Sequence, residues 1–158
     1  LSKLNFQLRK VALTYALLGT LFIGLAAALV IISGANFWDA ITGDDPNHYF
    51  FKIGGVAVGH WALAFLSLRY ATLSSWWKGA TFAVSLILAL WNISGAVNSV
   101  IHGGASVVSF VPAPAIIGSK CLLAFAYSVC AYVLWSNRRI PGNRLERPVA
   151  ASASQGEN

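Results

Sequence analysis

The chain has 158 residues, of which 57% are hydrophobic and only 10% charged, with a formal net charge of +6. A water-soluble domain carries roughly 25% charged residues, so a soluble fold of this length could not hide so much apolar surface, and a bilayer is the solvent that removes the difficulty. The positive charge does not point to nucleic acid, because the lysines and arginines stand at the ends of apolar runs, where they act as topology signals.

Four runs almost free of charge follow one another, at about 11–36, 50–70, 79–101 and 113–135. Each is near the roughly 20 residues that a helix needs to cross the hydrocarbon core. None alternates as a barrel strand would, and a helix is the form in which a lipid-surrounded backbone satisfies its own hydrogen bonds. The expected fold is therefore an all-α integral membrane protein. A four-helix transmembrane bundle fills 1–136, and a polar tail over 137–158 reads as disordered.

The first run follows Lys3, Arg9 and Lys10, which imitates a secretory leader. At Val11 to Ser33 it exceeds the roughly 7–15 apolar residues of a leader and is read as a retained helix. Asp39, Asp44, Asp45 and His48 come next, around the turn chemistry of Gly43 to Asn47. They lack the loop spacing of a calcium site and read as a solvated turn.

The second run carries Gly55 and Gly59, four apart and so on one helix face, a spacing that lets two membrane helices bring their backbones together. His60 follows near the middle of that run, where an ionisable ring needs a partner. Three readings stay open for it: a structural hydrogen bond, with Asn92 at matching depth on the third helix as partner; an axial ligand to a chlorophyll-type pigment or haem; or proton and substrate handling. A bis-histidine haem within the chain is excluded, because His48 and His102 lie roughly 15 Å from the depth of His60.

Arg69 and Lys78 flank a short turn into the third run, with Tyr70, Trp76 and Trp77 at interfacial positions. The third run holds the most polar face: Asn92, Ser94, Gly95, Asn98, Ser99 and His102, of which Ser94, Asn98 and His102 step by four. That band should face protein or a polar cavity rather than lipid. Ala28 to Ala35 and Ala89 to Ala96 agree at six of eight positions, a weak sign of duplicated helix pairs.

The fourth run contains Lys120, the one charge well inside a run. Its stem can snorkel outward, pair with Asp39, Asp44 or Asp45, or serve an anion or proton site. Cys121 and Cys130 fall on opposite helix faces and read as small buried apolar residues rather than a disulfide or metal pair. Arg138, Arg139, Arg144 and Arg147 follow. The basic excess before the first run, between the second and third, and after the fourth puts both termini on the cytoplasmic side.

No motif of nucleotide, metalloprotease or serine-hydrolase chemistry is present, and no run contains an acidic residue. The expectation is a non-catalytic accessory or structural subunit of a larger multi-subunit membrane complex, in contact with lipid and with other subunits or its own copies. One alternative is a pigment- or haem-binding subunit of a photosynthetic or respiratory assembly using His60. The other is a small transporter or membrane enzyme with an outward-facing polar pocket around Asn92, Asn98, His102 and Lys120. Gly55, Gly59 and Gly95 are the expected helix-packing positions, and bound lipid is expected.

Overall fold

A computed structural model describes residues 2–33, 49–101 and 113–138. These form four α-helices and one short 3-10 turn: α1 (Ser2–Ser33), α2 (Tyr49–Leu68), the turn Tyr70–Thr72, α3 (Ser75–Ile101) and α4 (Ala113–Asn137), with no strand among the described residues. The acidic loop, His102, the Gly/Ser-rich segment before α4 and the polar tail lie outside them.

Three stretches, Phe6–Ile32, Ser75–Ile101 and Pro114–Asn137, are long and apolar enough to cross a membrane. The apolar part of α2, Ile53–Leu68, is shorter. Helix α1 begins well before the apolar run because Lys, Leu, Gln and Arg are all good helix formers and nothing in Ser2 to Lys10 breaks the ladder. Helix α2 stops at Leu68, and the chain tightens into the 3-10 turn, where Leu73 N–H donates to Tyr70 O and Thr72 Oγ1 donates to Arg69 O.

The distribution of side chains is inside out. Buried positions are rich in small and polar residues: Ala12, Ala26, Ala57, Ala64, Ala89, Thr81, Ser67 and Ser85. The exterior carries Leu17, Leu21, Ile31, Phe65, Trp91, Leu122 and Phe125, each more than half exposed. In water this arrangement would forgo much of the hydrophobic stabilisation that folds a soluble domain. In lipid, helices associate through close packing and hydrogen bonds, and small interior residues are what allow it.

The helices form two antiparallel hairpins, α1 with α2 and α3 with α4; α1 touches α4 more lightly, and α2 and α3, though consecutive, scarcely meet. In the second hairpin Phe82 meets Trp135 with ring centroids 5.0 Å apart, and Gly95 meets Lys120. Arg9, Lys10, Arg69, Lys78 and Arg138 therefore gather at one end, here the basic end. Between α2 and α3 an apolar cleft of about 280 Å³ remains, lined by Val56, Gly59, His60, Leu66, Val84 and Leu88 among others.

The glycines that close the first hairpin are not the expected pair. Gly55 and Gly59 are exposed, and a Cβ at either would meet nothing within 4 Å. The scarcity of α2–α3 contact is the reason: the face that carries them has no helix laid against it. Gly19 on α1 takes the packing role. A Cβ there would lie 2.7 Å from Cδ1 and Nε1 of Trp61 and 3.0 Å from the carbonyl oxygen of Ala57.

At the basic end, Tyr70 pins the turn to the second hairpin. It is buried, and its hydroxyl donates to Leu134 O at 2.9 Å and lies 3.4 Å from Lys78 O. The Lys78 ammonium stands 6.0 Å over its ring. Burial raises the Tyr70 pKa above its ordinary value, partly offset by Arg138. The protonated hydroxyl is the bonded form, so its contribution to stability is full below the ordinary tyrosine pKa and is lost as pH rises through the raised value. Alkaline unfolding in detergent should show this loss in the wild type. Tyr70→Phe should be less stable at neutral pH by about 1 kcal/mol and should lack that component. An identical alkaline profile in both proteins would contradict the assignment.

Candidate functional site

The polar residues inside the bundle fall into layers, and the middle layer holds His60. Tyr15 on α1, His60 on α2, Ser85 on α3 and Tyr127 on α4 each lie about 12–15 Å from the basic end of the apolar part of their helix, at about 1.5 Å of rise per residue. His60 is 2% exposed, Tyr15 and Ser85 0% and Tyr127 1%.

Two hydrogen bonds cross at this level. His60 Nδ1 lies 2.6 Å from the carbonyl oxygen of Val56, one turn back on α2. A carbonyl only accepts, so a neutral ring carries its proton on Nδ1. Nε2 is then an acceptor, and Tyr127 Oη donates to it at 2.5 Å. Tyr15 Oη donates to Ser85 Oγ at 2.6 Å, and Ser85 Oγ donates onward to Thr81 O at 2.7 Å. The first bond joins α2 to α4 and the second joins α1 to α3, so each spans a diagonal of the bundle and links one hairpin to the other. The tyrosine rings stack where the diagonals pass, with centroids 6.3 Å apart and an interplanar angle of 24°. Tyr15 and Phe22 stand 6.1 and 5.1 Å from the imidazole.

The two tyrosines of this layer belong to a buried cluster with Leu8, Val11, Leu63, Ala64, Tyr70, Ala89, Cys130 and Leu134, drawn from all the helices, and all of these but Ala89 lie between the layer and the basic end. The hairpins are therefore joined chiefly between the basic end and the middle layer.

The expected His60–Asn92 pair does not form. Asn92 is half-buried and its Nδ2 donates to Leu88 O on its own helix at 2.8 Å. Matched depth is no help when α2 and α3 hardly touch, and the diagonal neighbour α4 presents a hydroxyl instead. The polar band on α3 also divides. Ser99 turns inward, while Ser94 and Asn98 are exposed. His102 lies outside the described residues, so the pocket expected around Asn92, Asn98, His102 and Lys120 is not assembled by the described ones.

The residues around His60 do not fit a pigment or haem. The position an axial metal would take on Nε2 is filled by the Tyr127 hydroxyl, and the ring is walled by Tyr15 and Phe22. Among the described residues no three His, Cys, Asp or Glu side chains come together.

Asp39, Asp44 and Asp45, the acidic partners expected for Lys120, lie outside the described residues, and Lys120 is held by α3. Its Nζ donates to Gly95 O at 3.1 Å and to Ser99 Oγ at 2.8 Å, bridging α4 to α3. Ser99 Oγ in turn donates to Gly95 O at 2.8 Å. Gly95 does serve packing, but against the lysine stem: a Cβ there would sit 3.4 Å from Cδ and Nζ of Lys120. Of the two cysteines, Cys130 is buried in the core and Cys121 is exposed.

Sequence reasoning passed over Tyr15, Ser85 and Tyr127. A signal was present for Tyr127: a tyrosine favours the membrane interface, and this one stands well inside the run 113–135, where the hydroxyl needs a partner, whereas Tyr15 is only the fifth residue of its run. Ser85 carried no comparable mark.

Compared with known protein families, with curated proteins and with solved structures, the chain matches none.

Proposed function

We propose that the chain is a multi-pass integral membrane protein whose four helices all cross the bilayer, with both termini on the cytoplasmic side, and that it serves as a non-catalytic accessory subunit of a larger membrane complex. The membrane placement rests on the inside-out side-chain distribution and on the three long apolar helices. The basic end supplies the orientation, because Lys and Arg are retained on the cytoplasmic side.

The accessory role rests on one observation. The middle-layer groups that could do chemistry are spent on one another: His60 on Val56 and Tyr127, Tyr15 on Ser85, Ser85 on Thr81. What is left unspent is surface. Leu17, Thr20, Leu21, Gly24, Leu25 and Ala28 line an exposed groove along α1, with small residues at every fourth position. Gly55 and Gly59 mark a second such face on α2. Small residues at this spacing support close helix approach, and a partner subunit or a second copy is the kind of object that uses it.

The test is the mass of the particle extracted from native membrane in mild detergent, measured beside labelling of single cysteines placed at Ser2, Ser75 and Asn47. An assembly heavier than one chain that dissociates in Gly24→Leu, with labelling of Ser2 and Ser75 from the cytoplasm and Asn47 from the far side, is the expected result. A particle of one chain alone would overturn the accessory role. Labelling of Asn47 and Ser75 from the same side would overturn the topology.

A further inference from the structure

Among the described residues Lys120 has no anionic partner. All five acidic residues of the chain lie at 39, 44, 45, 146 and 157, so no carboxylate occurs in any described helix. Its ammonium has three protons. Two go to Gly95 O and Ser99 Oγ, both uncharged, and a cation in apolar surroundings is not neutralised by such acceptors.

Position says what could complete it. The Lys120 Cα lies about 10 Å in from the start of α4. Helical side chains tilt toward the N-terminus of their helix, so the stem runs back toward the end opposite the basic end. The ammonium arrives level with Gly95 and Ser99, in the last two turns of α3. That is close to headgroup depth. Ile116 and Ile117, half-buried and one turn back on the same face of α4, offer apolar surface beside it. The lysine stem lies directly over Gly95, where a Cβ would be in contact with both Cδ and Nζ at 3.4 Å.

We propose that Lys120, held by Gly95 and Ser99, is a binding site for the phosphate of an anionic phospholipid in the leaflet away from the basic end. A soluble phosphate offers the same chemistry. The setting between apolar helix faces selects the lipid, whose chains cover those faces while its phosphate takes the third ammonium proton. A lipid without a cationic group in its own headgroup is preferred, because choline or ethanolamine would stand against the lysine. The site rests on the membrane placement proposed above and not on the accessory role.

The experiment is native mass spectrometry of the detergent-solubilised protein given equal amounts of phosphatidylglycerol and phosphatidylcholine, with inorganic phosphate alone as a separate arm. The wild type should retain one phosphatidylglycerol in preference to phosphatidylcholine. Lys120→Met, which keeps an apolar stem of similar length, should weaken that retention about tenfold, as expected for a lost charge-assisted contact. Ser99→Ala should weaken it less, and Arg69→Gln at the basic end should leave it unchanged. If Lys120→Met does not fold, Ser99→Ala against Arg69→Gln decides. Equal retention in Ser99→Ala, Lys120→Met and wild type would overturn the site, as would equal retention of the two lipids. A phosphate adduct with the same Lys120 dependence would overturn the assignment to lipid. Failure of the topology labelling would remove the membrane placement itself, a result separate from any of these.

Discussion

Gly19→Leu is expected to destabilise the bundle by about 3 kcal/mol, at the upper end of what overpacking a close contact costs. The contact is between backbone and ring: Ala57 O and Trp61 both lie at or within 3.0 Å of where a Cβ would be. Trp61 is partly exposed and its ring can swing away, but Ala57 O belongs to a helix and cannot. The hairpin would have to part along α1 and α2, exposing the fully buried Ala26 and Ala57. Gly59→Leu is the comparison. Its side chain would project into open space, and a surface change of this kind falls within about 0.5 kcal/mol. Unfolding in a mixed-detergent titration measures both; equal effects would mean that the α1–α2 seam is not where the structure places it.

Tyr15→Ala is the second large effect, expected at about 3 kcal/mol, as for removal of a buried aromatic ring. The ring touches both diagonals. It donates to Ser85, stacks on Tyr127 and stands edge-on to His60. Tyr15→Phe separates the parts, since it keeps the ring and deletes only the hydroxyl. Interhelical hydrogen bonds in membranes average about 0.6 kcal/mol and reach about 1.7. Tyr15→Phe should therefore lose about 1 kcal/mol, and the remainder measures packing. A Tyr15→Phe loss as large as that of Tyr15→Ala would assign the whole effect to the polar diagonal.

Much of the architecture was legible from hydropathy alone. Four runs of helix length almost free of charge leave few alternatives, and each reappears as a helix, with α1 beginning nine residues ahead of its run. What failed was neighbourhood. The His60–Asn92 pair was placed on the assumption that consecutive helices pack side by side, whereas the Gly55–Gly59 face was assigned to packing without a named partner and is exposed in this chain. Helices α2 and α3 are consecutive but scarcely touch, so a correct depth led to a wrong partner. A helical period tells which residues share a face, not which face finds a neighbour. Lys120 shows the same limit: its depth was readable from sequence, but its landing on Gly95 and Ser99 depends on the separation of α3 and α4.

The middle layer welds the two hairpins, and both ring nitrogens of His60 are engaged in it, by Val56 and Tyr127. The most direct measurement is the nitrogen NMR spectrum of isotope-labelled histidine in a His48→Gln, His102→Gln background, so that His60 alone reports. The expected spectrum is that of a neutral ring with its proton on Nδ1 and an Nε2 lone pair engaged by a hydroxyl, shifting toward the free value in Tyr127→Phe. A proton on Nε2, or a spectrum indifferent to Tyr127→Phe, would contradict it.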